Sequence, residues 1–146
     1  VFSSTEGFRH DSIEPGIEAV KKLGAEHGFN VFATEDAEVF RESFLQDYNV
    51  VIFLNTTGDI LNDAQQIELN RFLQAGGGYV GIHSAADTEY SWPWYGELVG
   101  GWFQTHPNNP NVREGVVHVV DASHIAAVGL PATWTKSDEW YEYQSV

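Results

Sequence analysis

Residues 49–54 read NVVIFL and residues 78–87 read GYVGIHSAAD, the second of these opening on the last of three consecutive glycines, Gly76 to Gly78. Each is a short apolar run that stops abruptly on polar residues, Asn55-Thr56-Thr57 after one and His83-Ser84 after the other. Apolar runs of this length mark strands covered on both faces. Between them Ile67, Leu69, Phe72 and Leu73 recur at helical spacing, with Asn62 or Asp63 placed to cap the helix and the glycines to end it. Strand, helix, strand is a βαβ unit, which implies a right-handed crossover and parallel pairing.

The same alternation extends toward the N-terminus. Val1 to Ser4 reads as the second half of a strand, which places the true start of the protein upstream. Asp11 or Ser12 stands ready to cap a helix carrying Ile13, Ile17, Val20 and Leu23, and Gly28 follows as a stop. FNVFA at 29–33 reads as another strand, and a short helix is expected near 39–46. After Ala86 the texture changes: Trp92, Trp94, Tyr95, Trp102 and Phe103 crowd together, VVHVVD at 116–121 alternates like a strand, and 134–143 is aromatic and acidic. The expectation is one domain over 1–146, cut short at both ends, with a mostly parallel central sheet.

Bulk composition narrows the function. The chain has 146 residues, no cysteine and a formal net charge of −14. Such an acidic balance argues against nucleic acid or an anionic membrane as partner. Absence of cysteine excludes disulfides, thiolate metal sites and a thiol nucleophile. Within these residues no run approaches a membrane span, and there is no signal-peptide pattern.

In parallel sheets ligands bind beyond the carboxyl ends of the strands. The loops there are Ser3 to His10, Asn55 to Asp59 and His83 to Asp87, and their convergence marks the candidate site. His83 has three readings: a residue satisfying backbone groups at a tight turn, a general acid or base, or a metal ligand with His10 and His106 around zinc or manganese. Ser84 does not sit in a G-x-S-x-G register, where His83 stands instead, so it is cast as a hydrogen-bond donor or cap. Glu6, Asp87 and Glu139 are candidate orienting acids or bases. Arg9, Thr56 and Thr57 are candidates for fixing a polar ligand, and Trp92 and Trp94 for stacking on a sugar ring.

SSTEGFRHDSI at 3–13, FLNTTGDILND at 53–63, QAGGGYVGIHSAADTEYSWPWYGELVGG at 74–101 and DEWYEY at 138–143 together resemble the ThuA-like (trehalose utilisation) family. That resemblance implies a flavodoxin-like, class I glutamine amidotransferase-like three-layer sandwich. It also implies a role in carbohydrate catabolism, as a hydrolase or lyase acting on 3-keto glucosides or disaccharides such as trehalose derivatives. Class I amidotransferases carry a Cys nucleophile in G-x-C-x-G, and here His83 occupies that position, so glutamine hydrolysis through a thioester is closed. The alternative is a non-catalytic carbohydrate-binding or structural module of a larger secreted enzyme. The expected partners are a small carbohydrate and other domains of a longer chain, in a periplasmic or secreted setting, with no membrane insertion.

Overall fold

The computed structural model describes residues 1–146, which divide into two compact units, Val1–Phe103 with Gln144–Val146, and Gln104–Tyr143. In the first unit, α1 (Ile13–His27) runs to Gly28, whose left-handed backbone (φ 78°) returns its N–H to the Gly24 carbonyl. Ser12 occupies the N-cap position without a side-chain cap bond, because its hydroxyl accepts the Asn55 amide at 2.8 Å instead. A short α2 (Glu42–Leu45) precedes β1 (Val50–Leu54), α3 (Asp63–Gln74) and β2 (Gly78–Ile82). Asn62 closes a full capping box with Gln65 at the start of α3, satisfying donors that would otherwise be orphaned. A 3-10 turn over His83–Ala86 and α4 (Pro93–Val99) follow.

β1 and β2 pair in parallel, Val50 opposite Gly78 through Leu54 opposite Ile82. Their shared face carries Val51, Phe53 and Tyr79 into a core built with Phe2, Phe40, Leu69 and Tyr95. Phe53 is fully buried, 5.3 Å from Phe2 and 5.8 Å from both Phe40 and Tyr95 between ring centroids. On the other face α1 approaches closely because Gly16 has no Cβ; one added there would lie 2.9 Å from Leu54.

The expected three-layer sandwich with a mostly parallel central sheet is not what forms. No sheet has more than two strands. Val1 to Ser4 and FNVFA do not become strands: Phe2 makes single parallel bridges to Thr34 and Phe53, and no more. The β2 side is equally short. Gly78 donates to the Asn49 carbonyl and Ile82 accepts from Asn55, so these residues face β1. Tyr79 and Gly81 turn their backbone groups the other way, where no third strand lies. Parallel sheets need repeated crossovers, and after the 3-10 turn this chain makes no further parallel strand.

β3 (Trp102–Thr105) and β6 (Glu142–Gln144) lie where the chain passes between the units. The second unit is built on an antiparallel pair, β4 (Val112–His118) with β5 (Thr133–Glu139), Val112 opposite Glu139 and His118 opposite Thr133. Trp140 lies over Gly115, where a Cβ would come within 2.7 Å of the indole, and its Nε1 donates to the Arg113 carbonyl at 2.8 Å. The antiparallel alternation explains why VVH at 116–118 reads as a strand although it belongs to no parallel sheet; β4 ends at His118, and 119–121 lie outside it.

Phe53 is the natural probe of the core. Phe53→Ala should lower unfolding free energy by about 3–5 kcal/mol, read as a reduced urea midpoint at unchanged m-value. A loss below 1 kcal/mol would show that the aromatic cluster is not the core.

Candidate functional site

Three loops of the first unit meet at the carboxyl ends of the strands. The loop before α1 is fastened by Thr57: Glu6 N–H donates to its carbonyl at 2.9 Å, Gly7 N–H to its hydroxyl at 3.1 Å, and that hydroxyl donates to the Phe8 carbonyl at 3.1 Å. Gly58 (φ 83°) lies against Glu6, leaving no room for a side chain. The second corner is at Asn55 and the third at His83, both non-glycine residues in the left-handed region, at φ 53° and 52°. Such a conformation costs on the order of 1 kcal/mol, so the surroundings must impose it.

The imposing contacts at His83 are buried phenols and hydroxyls. Tyr95 donates to the Ala85 carbonyl at 2.7 Å and therefore accepts from the Tyr79 hydroxyl, also at 2.7 Å. Burial pushes both phenols well above their ordinary range, so they stay neutral donors. Thr88 donates its hydroxyl to the Ser84 carbonyl at 3.2 Å and accepts from Thr56 at 2.8 Å. Thr56, Thr57 and Ser84 are fully buried.

This framework brings two imidazoles edge to edge through their Nε2 atoms. His83 Nε2 and His10 Nε2 are 3.1 Å apart, their rings 4.7 Å apart and nearly perpendicular at 80°. His10 Nδ1 lies 3.3 Å from the Ser84 hydroxyl. Two imidazole lone pairs cannot face each other at this distance with nothing between them: the pair must share a proton or a cation. Two nitrogens on one tetrahedral zinc, at bond lengths of about 2.0–2.1 Å, stand about 3.3 Å apart. The observed spacing therefore fits both occupants. With Nδ1 of His10 held by Ser84, its Nε2 is the atom turned to the shared position, the usual division of labour for a metal-binding histidine.

Several of the other expected site residues have partners of their own. Arg9 gives one guanidinium nitrogen to both Glu14 (2.7 Å) and Glu35 (2.9 Å) at the surface. Glu6 is exposed beside Gly58. The Asp87 carboxylate accepts from the Tyr90 hydroxyl. Trp92 and Trp94 stack on each other at 4.8 Å and pack against the core. His106 and Glu139 belong to the second unit, where His106 stacks on Tyr141 and donates through Nδ1 to the Pro107 carbonyl, while Glu139 accepts the Asn111 amide at 2.8 Å. The hydroxyls of Thr56, Thr57 and Ser84 are engaged inside the protein, so their part is to hold the loops.

One residue of the framework has no counterpart in the sequence reading. Glu89 is fully buried, left-handed at φ 55°, and its carboxylate accepts the Ile60 and Leu61 N–H groups at 2.8 Å each and the Gln66 amide at 2.6 Å. It pins the loop after β1 to the loop after the 3-10 turn. The sequence signal available was Glu89 following Thr88 directly after the apolar strand and turn, an acid without a basic neighbour.

The chain belongs to the ThuA family, described as trehalose utilisation, whose model matches residues 1–146. Among solved structures it is similar to a ThuA-like protein from Bacteroides uniformis ATCC 8492, at 28% identity and a TM-score of 0.79, covering 97% of this chain and 59% of that one. A ThuA-like protein from Parabacteroides merdae ATCC 43184 shares the fold at 19% identity and a TM-score of 0.72, covering 97% of this chain and 61% of that one. The chain thus spans about three fifths of the length of these solved relatives. No curated protein matches it. Membership in the family ties the chain to carbohydrate use.

Burial raises the pKa of Glu89, against the opposing pull of its hydrogen bonds from Leu61, Gln66 and Ile60, with Asp59 adding to the rise. A carboxyl whose folded pKa is raised binds its proton more readily in the native state. Its contribution to stability is therefore greatest below the unfolded value and is lost as pH rises through the folded value. The stability of the wild type relative to Glu89→Gln should fall with rising pH across that window, measured by urea unfolding at a series of pH values. A constant difference would contradict the assignment. Glu89→Ala, which strands three donors, should cost about 3 kcal/mol or more.

Proposed function

We propose that the protein acts in carbohydrate catabolism as a hydrolase or lyase on oxidised glucosides, 3-keto derivatives of glucosides or of trehalose-type disaccharides. The observation that carries this reading is the facing Nε2 pair of His10 and His83 at 3.1 Å, in a chain of the trehalose utilisation family. The donor set, two imidazoles with the outer nitrogen of one held by a hydroxyl, suits zinc better than manganese, which favours oxygen ligands.

His10 and His83 would hold the cation through Nε2. When bound, such an ion supplies Lewis acidity toward a carbonyl or hydroxyl oxygen. The rest is done by the chain. Ser84 keeps His10 in one tautomer, the Tyr79–Tyr95–Ala85 relay keeps His83 at its strained corner, and Thr57 keeps the His10 loop against the strand ends. A keto group at C3 acidifies the C–H at C2, the carbon between it and the anomeric carbon that bears the glycosidic bond. A lyase reaction would pass that proton to a base, form a double bond between C1 and C2, and release the glycosidic oxygen from C1 as a protonated alcohol.

Titration calorimetry with Zn2+ and Mn2+ tests the centre, followed by assay of the loaded protein on methyl 3-keto-glucoside and 3-keto-trehalose. Binding near one ion per chain is expected, weakened about 100-fold or more by His10→Ala or His83→Ala, with release of the aglycone or glucose lost in both variants. Retained sugar affinity in His83→Ala together with no turnover in the wild type would overturn the enzymatic reading in favour of a binding module. Ion binding indifferent to both substitutions would remove the metal.

A further inference from the structure

The tryptophans expected at the strand ends do something else. Trp92 closes one end of a cavity of about 320 Å3 whose other walls are Asp63, Gln66, Ile67, Asn70 and Arg71. The α3 residues stand at spacings of three and four, so they form one stripe of that helix, while Gln65 and Leu69 point from it into the interior. The cavity is within the first unit and shares no lining residue with the His10–His83 pair. Its volume falls at the lower end of small-molecule sites, roughly 300–1,000 Å3.

Asp63 and Asn70 spend no side-chain hydrogen bond within the protein, and neither does the Trp92 indole N–H. Gln66 is held in place because its amide nitrogen is committed to buried Glu89 at 2.6 Å, which leaves its carbonyl oxygen as a fixed acceptor. Trp92 is ordered before any ligand arrives, stacked 4.8 Å from Trp94 and lying nearly parallel to buried Tyr95 at 6.1 Å. A pre-ordered aromatic costs little entropy on binding. Ile67, 51% exposed, adds an apolar patch. Arg71 is paired with Glu68 at 2.6 Å along the same helix, so Asp63 is the charge the groove presents without an ion partner.

We infer that this groove between α3 and Trp92 is a second saccharide-binding subsite, distinct from the histidine centre. A pyranose ring presents C–H surface and a rim of hydroxyls that both donate and accept. The groove offers a rigid indole and Ile67 for the first, and a carboxylate, two carboxamides and a guanidinium for the second. The choice of a sugar as ligand rests on the carbohydrate reading above. The groove's separateness from the histidines makes the two ideas testable apart.

Trehalose and methyl glucoside titrated into 15N-labelled protein, followed by amide and indole resonances, make the test. Saturable shifts are expected at the Trp92 indole and the Asn70 side-chain amide, unchanged in His83→Ala. Asn70→Ala, a substitution favourable to the helix, should weaken them about tenfold, the loss of one or two neutral hydrogen bonds, and Asp63→Asn should weaken them less. Absence of saturable shifts at these groups would overturn the subsite, as would shifts that vanish in His83→Ala. Shifts at Trp92 and Asn70 with none near His10 would uphold the subsite while counting against the histidine centre as a sugar site. Shifts near His10 alone would do the reverse.

Discussion

The last rung of the parallel pair, the Asn55 N–H donating to the Ile82 carbonyl at 3.2 Å, fixes the rest of the site. It ends both strands at the same level, and each chain then turns on a left-handed non-glycine residue, Asn55 or His83. Two strained corners side by side throw two loops over the same edge. The loop after Asn55 carries Thr57, which fastens the segment bearing His10. The loop after Ile82 begins with His83 itself. Bringing the two imidazoles to 3.1 Å is thus a consequence of strand register, and a one-residue slip would separate them.

What keeps the corners bent is a polar interior at one end of an aromatic core. The hydroxyls of Thr56, Thr57, Ser84, Thr88, Tyr79 and Tyr95, with the Glu89 carboxylate, each find partners across loops. Buried polar groups add little net stability when satisfied and cost a great deal when left unpaired. The network therefore acts mainly as specification: any loop arrangement that breaks one bond strands a buried donor. Ser3 is the exception, its hydroxyl buried without a partner.

Much of the first unit was legible in the sequence because its signals are local. The apolar runs at 50–54 and 78–82, the capping box at Asn62 and the stop at Gly28 all act over a few residues. The larger sheet was not legible. FNVFA carries strand composition, yet Phe29 is tied to the end of α1 through the Gly24 carbonyl and only Thr34 reaches Phe2. Composition reports what a segment tolerates, while a ladder requires a partner whose placement is decided elsewhere. The convergence of His10 and His83 followed from strand-end topology. The roles of Thr56 and Thr57 did not, because a threonine exposed on a loop and one buried in a clamp look alike in sequence. Glu89 was missed for the same reason: its three donors come from residues 23 to 29 positions away.

The pairing of the two imidazoles through Nε2 is the claim on which the functional account stands, and long-range 1H–15N spectra of the histidine rings, recorded with and without Zn2+, test it most directly. The account predicts that His10 and His83 together move to Nε2-bound patterns on adding zinc, with His10 protonated at Nδ1 toward Ser84, while His27 and His118 do not change. Rings of His10 and His83 that titrate independently of each other, and whose nitrogens ignore zinc, would contradict it.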